Sequence, residues 1–511
     1  MPVVQRGLLR SGLVLSLALM AGRVAGFARE LLLASVFGLS TQADVAIVLL
    51  TLPDILVNLL LSGGLGVALV PVLRGADRAR YALLFGQASL AVCAVFGVLA
   101  LAFVCWPALW LGLLAPGISL GGLPTDAWTW AAIAVALPLA ALSGVSSAAL
   151  NAQDRFFVAG CGTLVFNLCV IAALGLGLTQ RTDATSTLLL LGMGIALGAL
   201  LRWLSQLLAL RGRLGHSLAG LWQRSLLDRA LLRSFAAGLA SASLLVLVPV
   251  LIRACASWLG AGQLAAFNYA IKLVELPLGI LITTLATVAY PRLSEAHRKG
   301  DQAAFDALLG DSLRRSLVLS VAVVLCGWQF GDALVALLLG HGRLGVQEQA
   351  HVLRLMQFAL LSVPWVGVGG LLSAALNAQH KAGAVLRCTV LALLALPLLC
   401  LPGLLMRSAH VLMWALPLMQ MCLVLLLIRM LGAPWMGGVS RFAPRIMAPL
   451  LAVALLCAAG LLMDGWLSPA LAAWPVTVQA LLRTLLAGSV FAMATAAGMR
   501  ALRLKLRAWN D

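Results

Sequence analysis

Charged residues are scarce in this 511-residue chain, where Asp, Glu, Lys and Arg together make up 10% of the sequence. Soluble globular domains carry about 25% charged residues, so the scarcity argues against a water-soluble enzyme or a nucleic-acid-binding domain. The ten cysteines lie in apolar runs without a CxxC pair, which argues against a disulfide scaffold or a redox motif. The six histidines form no HExxH pattern, and no GxxxxGK[ST] phosphate loop occurs. We therefore expect no catalytic residues, no metal and no cofactor.

Apolar residues are what the chain has in abundance, at 62%. They form fourteen runs, each close to the roughly 20 residues that a helix needs to cross a bilayer. The sequence predicts an all-α polytopic membrane protein with about 14 transmembrane helices. The first run is expected to be a retained helix rather than a cleaved signal peptide, because its apolar character resumes beyond Arg23 and Arg29. The predicted spans are 11–38, 44–72, 81–105, 127–150, 157–178, 186–210, 231–258, 263–290, 316–340, 351–376, 384–406, 411–430, 447–466 and 480–500.

Basic residues outside the spans lie almost entirely on one side of this topology. The side that holds both termini carries most of them, whereas the opposite loops hold only Arg181, Arg343 and Arg407. Loops rich in Lys and Arg stay in the cytoplasm, so both termini are predicted to be cytoplasmic. This asymmetry explains most of the formal charge of +18 and makes a nucleic-acid partner unnecessary.

An internal repeat organises the chain. The string SAALNAQ occurs at Ser147–Gln153 and again 226 residues later at Ser373–Gln379. Two shorter echoes fall at similar offsets: Leu52-Pro53 with Leu276-Pro277, and Pro71-Val72-Leu73 with Pro291-Arg292-Leu293. An even number of spans in each copy gives both copies the same orientation, as in transporters whose halves are related by an axis along the membrane normal. We predict a six-helix lobe at 1–230, a second at 231–446, and an extra helix pair with a cytoplasmic tail at 447–511.

Charges inside the predicted spans are the main functional signal, because each costs at least about 2.5–3.5 kcal/mol at the bilayer centre. Arg23 and Arg29 lie six residues apart in the first helix, and Glu30 follows directly. Two interpretations stay open: a structural ion pair such as Arg29 with Glu30, or a cationic surface for an anionic substrate, since guanidinium binds phosphate oxygens in a fork. Four other arginines near span ends are expected to snorkel toward the headgroups: Arg202, Arg253, Arg354 and Arg483.

The second half of the chain offers its own charged pair. Lys272 and Glu275 have the i,i+3 spacing that brings side chains together on one helix face, and Pro277 follows closely. In the second predicted helix, Asp44 and Asp54 stand on either side of a short apolar stretch. Net positive charge among apolar helices indicates a lipid phosphate or pyrophosphate rather than a cationic drug.

The segment Gly22-Arg23-Val24-Ala25-Gly26-Phe27-Ala28-Arg29-Glu30 resembles the first-helix SRxxGFxR[DE] motif of the MurJ/MviN lipid II flippases. That family belongs to a larger group with multidrug exporters and polysaccharide flippases. The resemblance implies translocation of undecaprenyl-pyrophosphate-linked peptidoglycan precursor across the bacterial inner membrane by alternating access. It also implies that Arg23 and Arg29 contact the pyrophosphate. Lys272 occupies a position where the family usually has arginine. Glu275, Glu30 and Asp44 complete the predicted substrate-binding set.

Three departures from the family pattern remove charged residues from the central cavity that the resemblance implies. Val57 and Ser62 stand where the family has a basic residue and an acid, and Ile271 replaces an acid in the eighth helix. A flippase for an exopolysaccharide or O-antigen repeat unit is therefore one alternative, and a cation-coupled multidrug exporter or a membrane scaffold protein are others. The expected partners are a polyprenyl-pyrophosphate-linked saccharide, membrane lipids and cell-wall synthesis proteins, and the expected state is a monomer.

Overall fold

The computed structural model describes residues 2–59, 65–118, 126–180, 182–212, 229, 231, 233, 235, 244–279 and 283–507. Side chains are described within these ranges except at 2–19, 56–59, 67, 283–284, 433–445 and 503–507. All regular elements among the described residues are helical, so the predicted all-α class is confirmed. The chain divides into two compact units, Met1–Ala265 and Ala266–Asp511. Residue 230, where the first lobe is predicted to end, lies outside the described residues, and the three-part division stays a prediction.

The first unit is built around one deeply buried helix, α6 (Ala127–Ala152). It packs against α3 (Leu65–Arg74), α4 (Arg78–Cys105) and α8 (Ala184–Leu210). In the most apolar 18-residue stretch of α6, 78% of the residues are buried, compared with 17% in that of α4. Small residues dominate the second half of α6 and let neighbouring backbones approach closely. The helices of this unit are α1 Pro2–Phe37, α2 Thr41–Leu59, α3 Leu65–Arg74, α4 Arg78–Cys105, α5 Pro107–Leu114, α6 Ala127–Ala152, α7 Phe156–Thr179, α8 Ala184–Leu210 and α9 Leu247–Ser257.

In the second unit, α15 (Val363–Ala378) packs against α11 (Thr283–Arg298), α12 (Gln302–Gln329) and α18 (Ala415–Leu431). The last two helices pack against each other and against α12. Helix α10, Gln263–Pro277, contains the boundary between the units. The remaining helices are α11 Thr283–Arg298, α12 Gln302–Gln329, α13 Gly331–Leu339, α14 Val346–Leu360, α15 Val363–Ala378, α16 Ala382–Leu405, α17 Ala409–Met413, α18 Ala415–Leu431, α19 Ala433–Ala470 and α20 Val476–Arg507.

The described helices account for much of the predicted membrane topology. Nine helical segments within the described ranges are long and apolar enough to cross a bilayer. A tenth forms if α12 and α13, which meet at a 70° bend, make one span. The other predicted spans fall on α1, on α2 with α3, on α9 and on α10 with α11, so the total of fourteen stays a prediction.

Helix starts and breaks recur at matching places in the two units. Asp77 caps α4 and Asp301 caps α12, each accepting a hydrogen bond from a backbone amide three residues ahead. Helix α4 is interrupted at Trp106 and α12 at Phe330, and each is followed by a short apolar helix. The proline-containing α2 and α10 are each followed along the chain by a further helix, α3 and α11.

The two SAALNAQ strings end in the same turn. Asp154 and His380, 226 residues apart, both adopt a left-handed backbone conformation, with φ of 58° and 60°. In the first copy the Arg155 amide donates to the Leu150 carbonyl at 3.0 Å, and in the second the Lys381 amide donates to the Leu376 carbonyl at 2.9 Å. Such bonds satisfy the last carbonyls of a helix. The repeat is therefore one of backbone geometry as well as sequence.

Candidate functional site

Arg29 lies at the centre of a buried polar network formed by α1, α2 and α7. Its side chain is only 6% exposed. Nη2 donates to Glu30 Oε1 at 2.8 Å and to Asp54 Oδ2 at 3.0 Å, and Nη1 donates to Asn167 Oδ1 at 3.1 Å. The predicted Arg29–Glu30 ion pair is thus present. Two further partners hold the guanidinium in a fixed orientation, which is what a phosphate-binding fork requires.

The glycines of the first-helix motif allow α7 to approach this network. Asn167 Nδ2 donates to the Gly22 carbonyl at 3.1 Å. A Cβ atom at Gly26 would lie 3.2 Å from the same Nδ2, tighter than most real contacts. Asn167 is not among the site residues predicted from the sequence. Its signal was available, because an amide in an apolar span usually hydrogen-bonds across helices.

Arg23 occupies a different environment from Arg29. Its residue is exposed, whereas Arg29 is buried. Six residues of an ideal helix place the two side chains about 120° apart, which matches this difference. The structure therefore does not bring the two predicted phosphate ligands onto one face of α1.

Asp44 is 1% exposed, and its carboxylate is fully engaged by backbone amides. Oδ2 accepts from the Gly262 amide and Oδ1 from the Ala265 amide, both at 2.7 Å. These amides lie at the start of α10, where the first turn of a helix leaves donors unsatisfied. Asp44 therefore acts as a helix cap supplied from α2, a role that its position in the sequence does not indicate.

Lys272 and Glu275 form the predicted i,i+3 pair on α10. Lys272 Nζ lies 2.7 Å from Glu275 Oε2, with side chains 34% and 42% exposed. Half-exposed groups of opposite sign remain reachable by a polar ligand. Ile271, which departs from the family pattern, is buried next to this pair at 6% exposure. The side chain of Val57 and the whole of Ser62, the other departures, lie outside the described residues.

Arg202 on α8 contradicts the expectation that it snorkels to the headgroups. The residue is 4% exposed and lines a cavity of about 10 Å³ with Asp54. Gly162 of α7 leaves the room for it, because a Cβ there would lie 3.0 Å from Arg202 Cγ. Sequence alone could not place Arg202, since its surroundings come from α2 and α7.

Arg483 also finds partners inside its own unit instead of snorkelling. Its guanidinium contacts Asp464 of α19 and Asp332 of α13, in each case at 2.7 Å. These ion pairs connect α19 and α20 to α13, the short helix that follows the 70° bend. Within the described ranges, no cluster of three or more His, Cys, Asp or Glu is placed to hold a metal ion.

The fold is that of polytopic membrane transporters. A solved structure of lipid II flippase MurJ in an inward closed conformation matches with a TM-score of 0.77 and 16% identity, covering 96% of this chain and 99% of that one. An inward-facing multidrug resistance MATE family transporter matches with a TM-score of 0.64 and 12% identity, covering 84% and 98%. At such identities the likeness defines the class of protein by its fold alone.

The sequence identifies the family within that class. The profile described as Lipid II flippase MurJ matches residues 33–481, which begin just after the first-helix motif. The chain belongs to the MurJ family of lipid II flippases and is a multi-pass membrane protein. The lipid II flippase MurJ of Burkholderia cenocepacia is 27% identical over 381 residues, 71% of each chain. A probable lipid II flippase MurJ of Rhizobium tropici is 25% identical over 362 residues, covering 68% of this chain and 66% of the relative.

Proposed function

We propose that this chain translocates lipid II, the undecaprenyl-pyrophosphate-linked peptidoglycan precursor, from the inner to the outer leaflet of the bacterial inner membrane by alternating access. The observation that carries the proposal is the match of the MurJ profile to residues 33–481. Local support comes from Arg29, a guanidinium oriented by three polar partners inside an apolar unit. A fixed cation of this kind suits a pyrophosphate group.

The proposed substrate contacts divide by charge. Arg23, Arg29 and Lys272 supply cations for the pyrophosphate, as the family resemblance implies. Glu30 and Glu275 balance these cations, each lying 2.7–2.8 Å from its basic neighbour. Asp44, which we also place in the substrate-binding set, supports the site by fixing the start of the helix that carries Lys272.

The proposed reaction is transport without any covalent change to the substrate, by a monomer. Because the sequence holds no nucleotide-binding loop, the cycle draws on the membrane potential, an ion gradient or consumption of product on the far side. A potential of 100 mV is worth about 2.3 kcal/mol per elementary charge, enough to bias the cycle. The partners we propose are the lipid-linked saccharide, membrane lipids and cell-wall synthesis proteins.

Reporter fusions test the proposed orientation, with both termini in the cytoplasm. Fusions near Gly121 and Gln347, in the predicted loops that hold few basic residues, should report periplasm. Fusions at four basic-loop residues should report cytoplasm: Arg78, Arg224, Arg298 and Arg441. A periplasmic signal at Arg298 would require an odd number of spans before it and would break the two-repeat topology.

Complementation of a strain depleted of its own lipid II flippase tests the function itself. The wild-type chain should restore growth, and Arg29→Ala should not, although its abundance in the membrane stays measurable. Arg211→Ala is the matched control, because Arg211 is an exposed arginine at the end of α8. If the wild-type chain accumulates in the membrane but does not restore growth, its substrate is another lipid-linked glycan.

A further inference from the structure

Arg202 is a buried cation with unused hydrogen-bonding capacity. None of the residues that the structure describes accepts a hydrogen bond from its Nε or Nη2. Both atoms are shielded from solvent, so each lacks a partner in an environment where donors are normally satisfied. The small cavity beside it is lined by Pro53, Asp54, Ala140, Phe166, Ala199 and Arg202. Asp54 is the acidic residue of that lining.

Asp54 stands between Arg29 and the accessible side of the network. The Asp54 side chain is 41% exposed, whereas that of Arg29 is 6% exposed. The carboxylate occupies Nη2 of Arg29 at 3.0 Å, and this nitrogen is shared with Glu30. An anionic group that approaches Arg29 from this side therefore meets the Asp54 carboxylate first, and it reaches Nη2 only if that carboxylate moves away.

We propose that Arg202 is a positioning residue for the substrate pyrophosphate: it receives the Asp54 carboxylate when the phosphate displaces that carboxylate from Arg29. The inference rests on the proposed function, because it requires an anionic headgroup at Arg29. The exchange moves the Asp54 carboxylate from the Arg29 guanidinium to that of Arg202, beside the cavity that Asp54 and Arg202 line. No bond is made or broken, and Arg29 gains the phosphate as Asp54 leaves.

The exchange solves an electrostatic difficulty. A carboxylate displaced within an apolar unit without a new cation would be uncompensated, which is strongly unfavourable at membrane depth. The unused Nε and Nη2 of Arg202 form the planar pair of donors that a carboxylate binds best. Without Arg202, Asp54 would remain on Arg29 and compete with the phosphate.

Binding of farnesyl pyrophosphate, a soluble polyprenyl pyrophosphate, to the purified full-length chain in detergent tests this exchange. Arg202→Gln should raise the Kd about tenfold, within the range of coupling between neighbours of one network. Asp54→Asn alone should bind at least as tightly as wild type, because the competing charge is gone. The double variant Arg202→Gln with Asp54→Asn should match Asp54→Asn. Arg211→Gln, which removes the same charge from the exposed end of α8, should bind as wild type.

The matched outcomes separate the exchange from a structural role and from failure of the proposed function. An unchanged Kd in Arg202→Gln, or a weakening that Asp54→Asn does not relieve, would overturn the exchange. Thermal unfolding of each variant monitors the fold. If Arg202→Gln does not accumulate, Arg202→Lys replaces it and should show a smaller loss, about threefold, that Asp54→Asn again relieves. Should Arg29→Gln bind as wild type, the proposed phosphate site fails and the exchange fails with it, whatever Arg202 does.

Discussion

Removal of the Asp44 carboxylate should destabilise the chain because the residue holds the start of α10. Its two carboxylate oxygens each accept a hydrogen bond from a backbone amide at 2.7 Å, and the residue is 1% exposed. Hydrogen bonds to a charged group contribute about 1.5–3 kcal/mol each, so the loss of both amounts to about 3–6 kcal/mol. Alanine also removes the cost of burying a carboxylate, which favours the lower end, about 3 kcal/mol. Asp44→Asn retains one acceptor oxygen and should lose about half as much.

Denaturant titration of the purified chain in micelles gives the free energies of unfolding. Asp183→Asn is the matched control, because Asp183 caps α8 through longer bonds, from the Thr185 and Ser186 amides at 3.2 and 3.4 Å, on the exposed surface. It should change the free energy of unfolding far less than Asp44→Asn does. If Asp44→Ala unfolds like the wild-type chain yet abolishes transport, the two capping bonds do not stabilise the fold and Asp44 acts on the substrate directly.

Three other substitutions test separate parts of the structure. Lys272→Arg should keep transport in the complementation assay, since it preserves the cation and supplies the planar fork. Arg483→Met should lower the unfolding temperature by leaving Asp464, whose side chain is 9% exposed, without its ion pair, and adding Asp464→Asn should restore much of the loss. Gly194→Ala should destabilise by about 1–3 kcal/mol, because the new Cβ would lie 2.5 Å from Ala173 Cβ, and an unchanged unfolding temperature would show that α7 and α8 separate freely.

Local patterns predicted most of the helices, but not the 70° bend between α12 and α13, which falls inside the predicted span 316–340. Apolar run length indicates where helices form, and these positions agree with the described elements. The Leu-Pro echoes place Pro53 inside α2 and Pro277 at the last residue of α10. The adjacency of Arg29 and Glu30 predicted an ion pair that is present.

Partners distant in the sequence could not be predicted in the same way. The amides that donate hydrogen bonds to Asp44 are 218 and 221 residues away in the sequence, and no periodicity connects them to it. Whether an intramembrane arginine snorkels depends on neighbouring helices. Arg202 is buried because Gly162 of α7 leaves space beside it and Asp54 of α2 offers opposite charge nearby.

The turns at Asp154 and His380 share one backbone conformation but make different side-chain contacts. Their backbones are alike, but Asp154 forms a 2.6 Å ion pair with Arg74 at the end of α3. His380 instead lies 6.2 Å, ring to ring, from His297 near the end of α11. The same backbone turn therefore carries an exposed ion pair in the first half and two neighbouring imidazole rings in the second. A variant at one turn therefore disturbs a different interaction from the equivalent variant at the other, although the backbone path is the same.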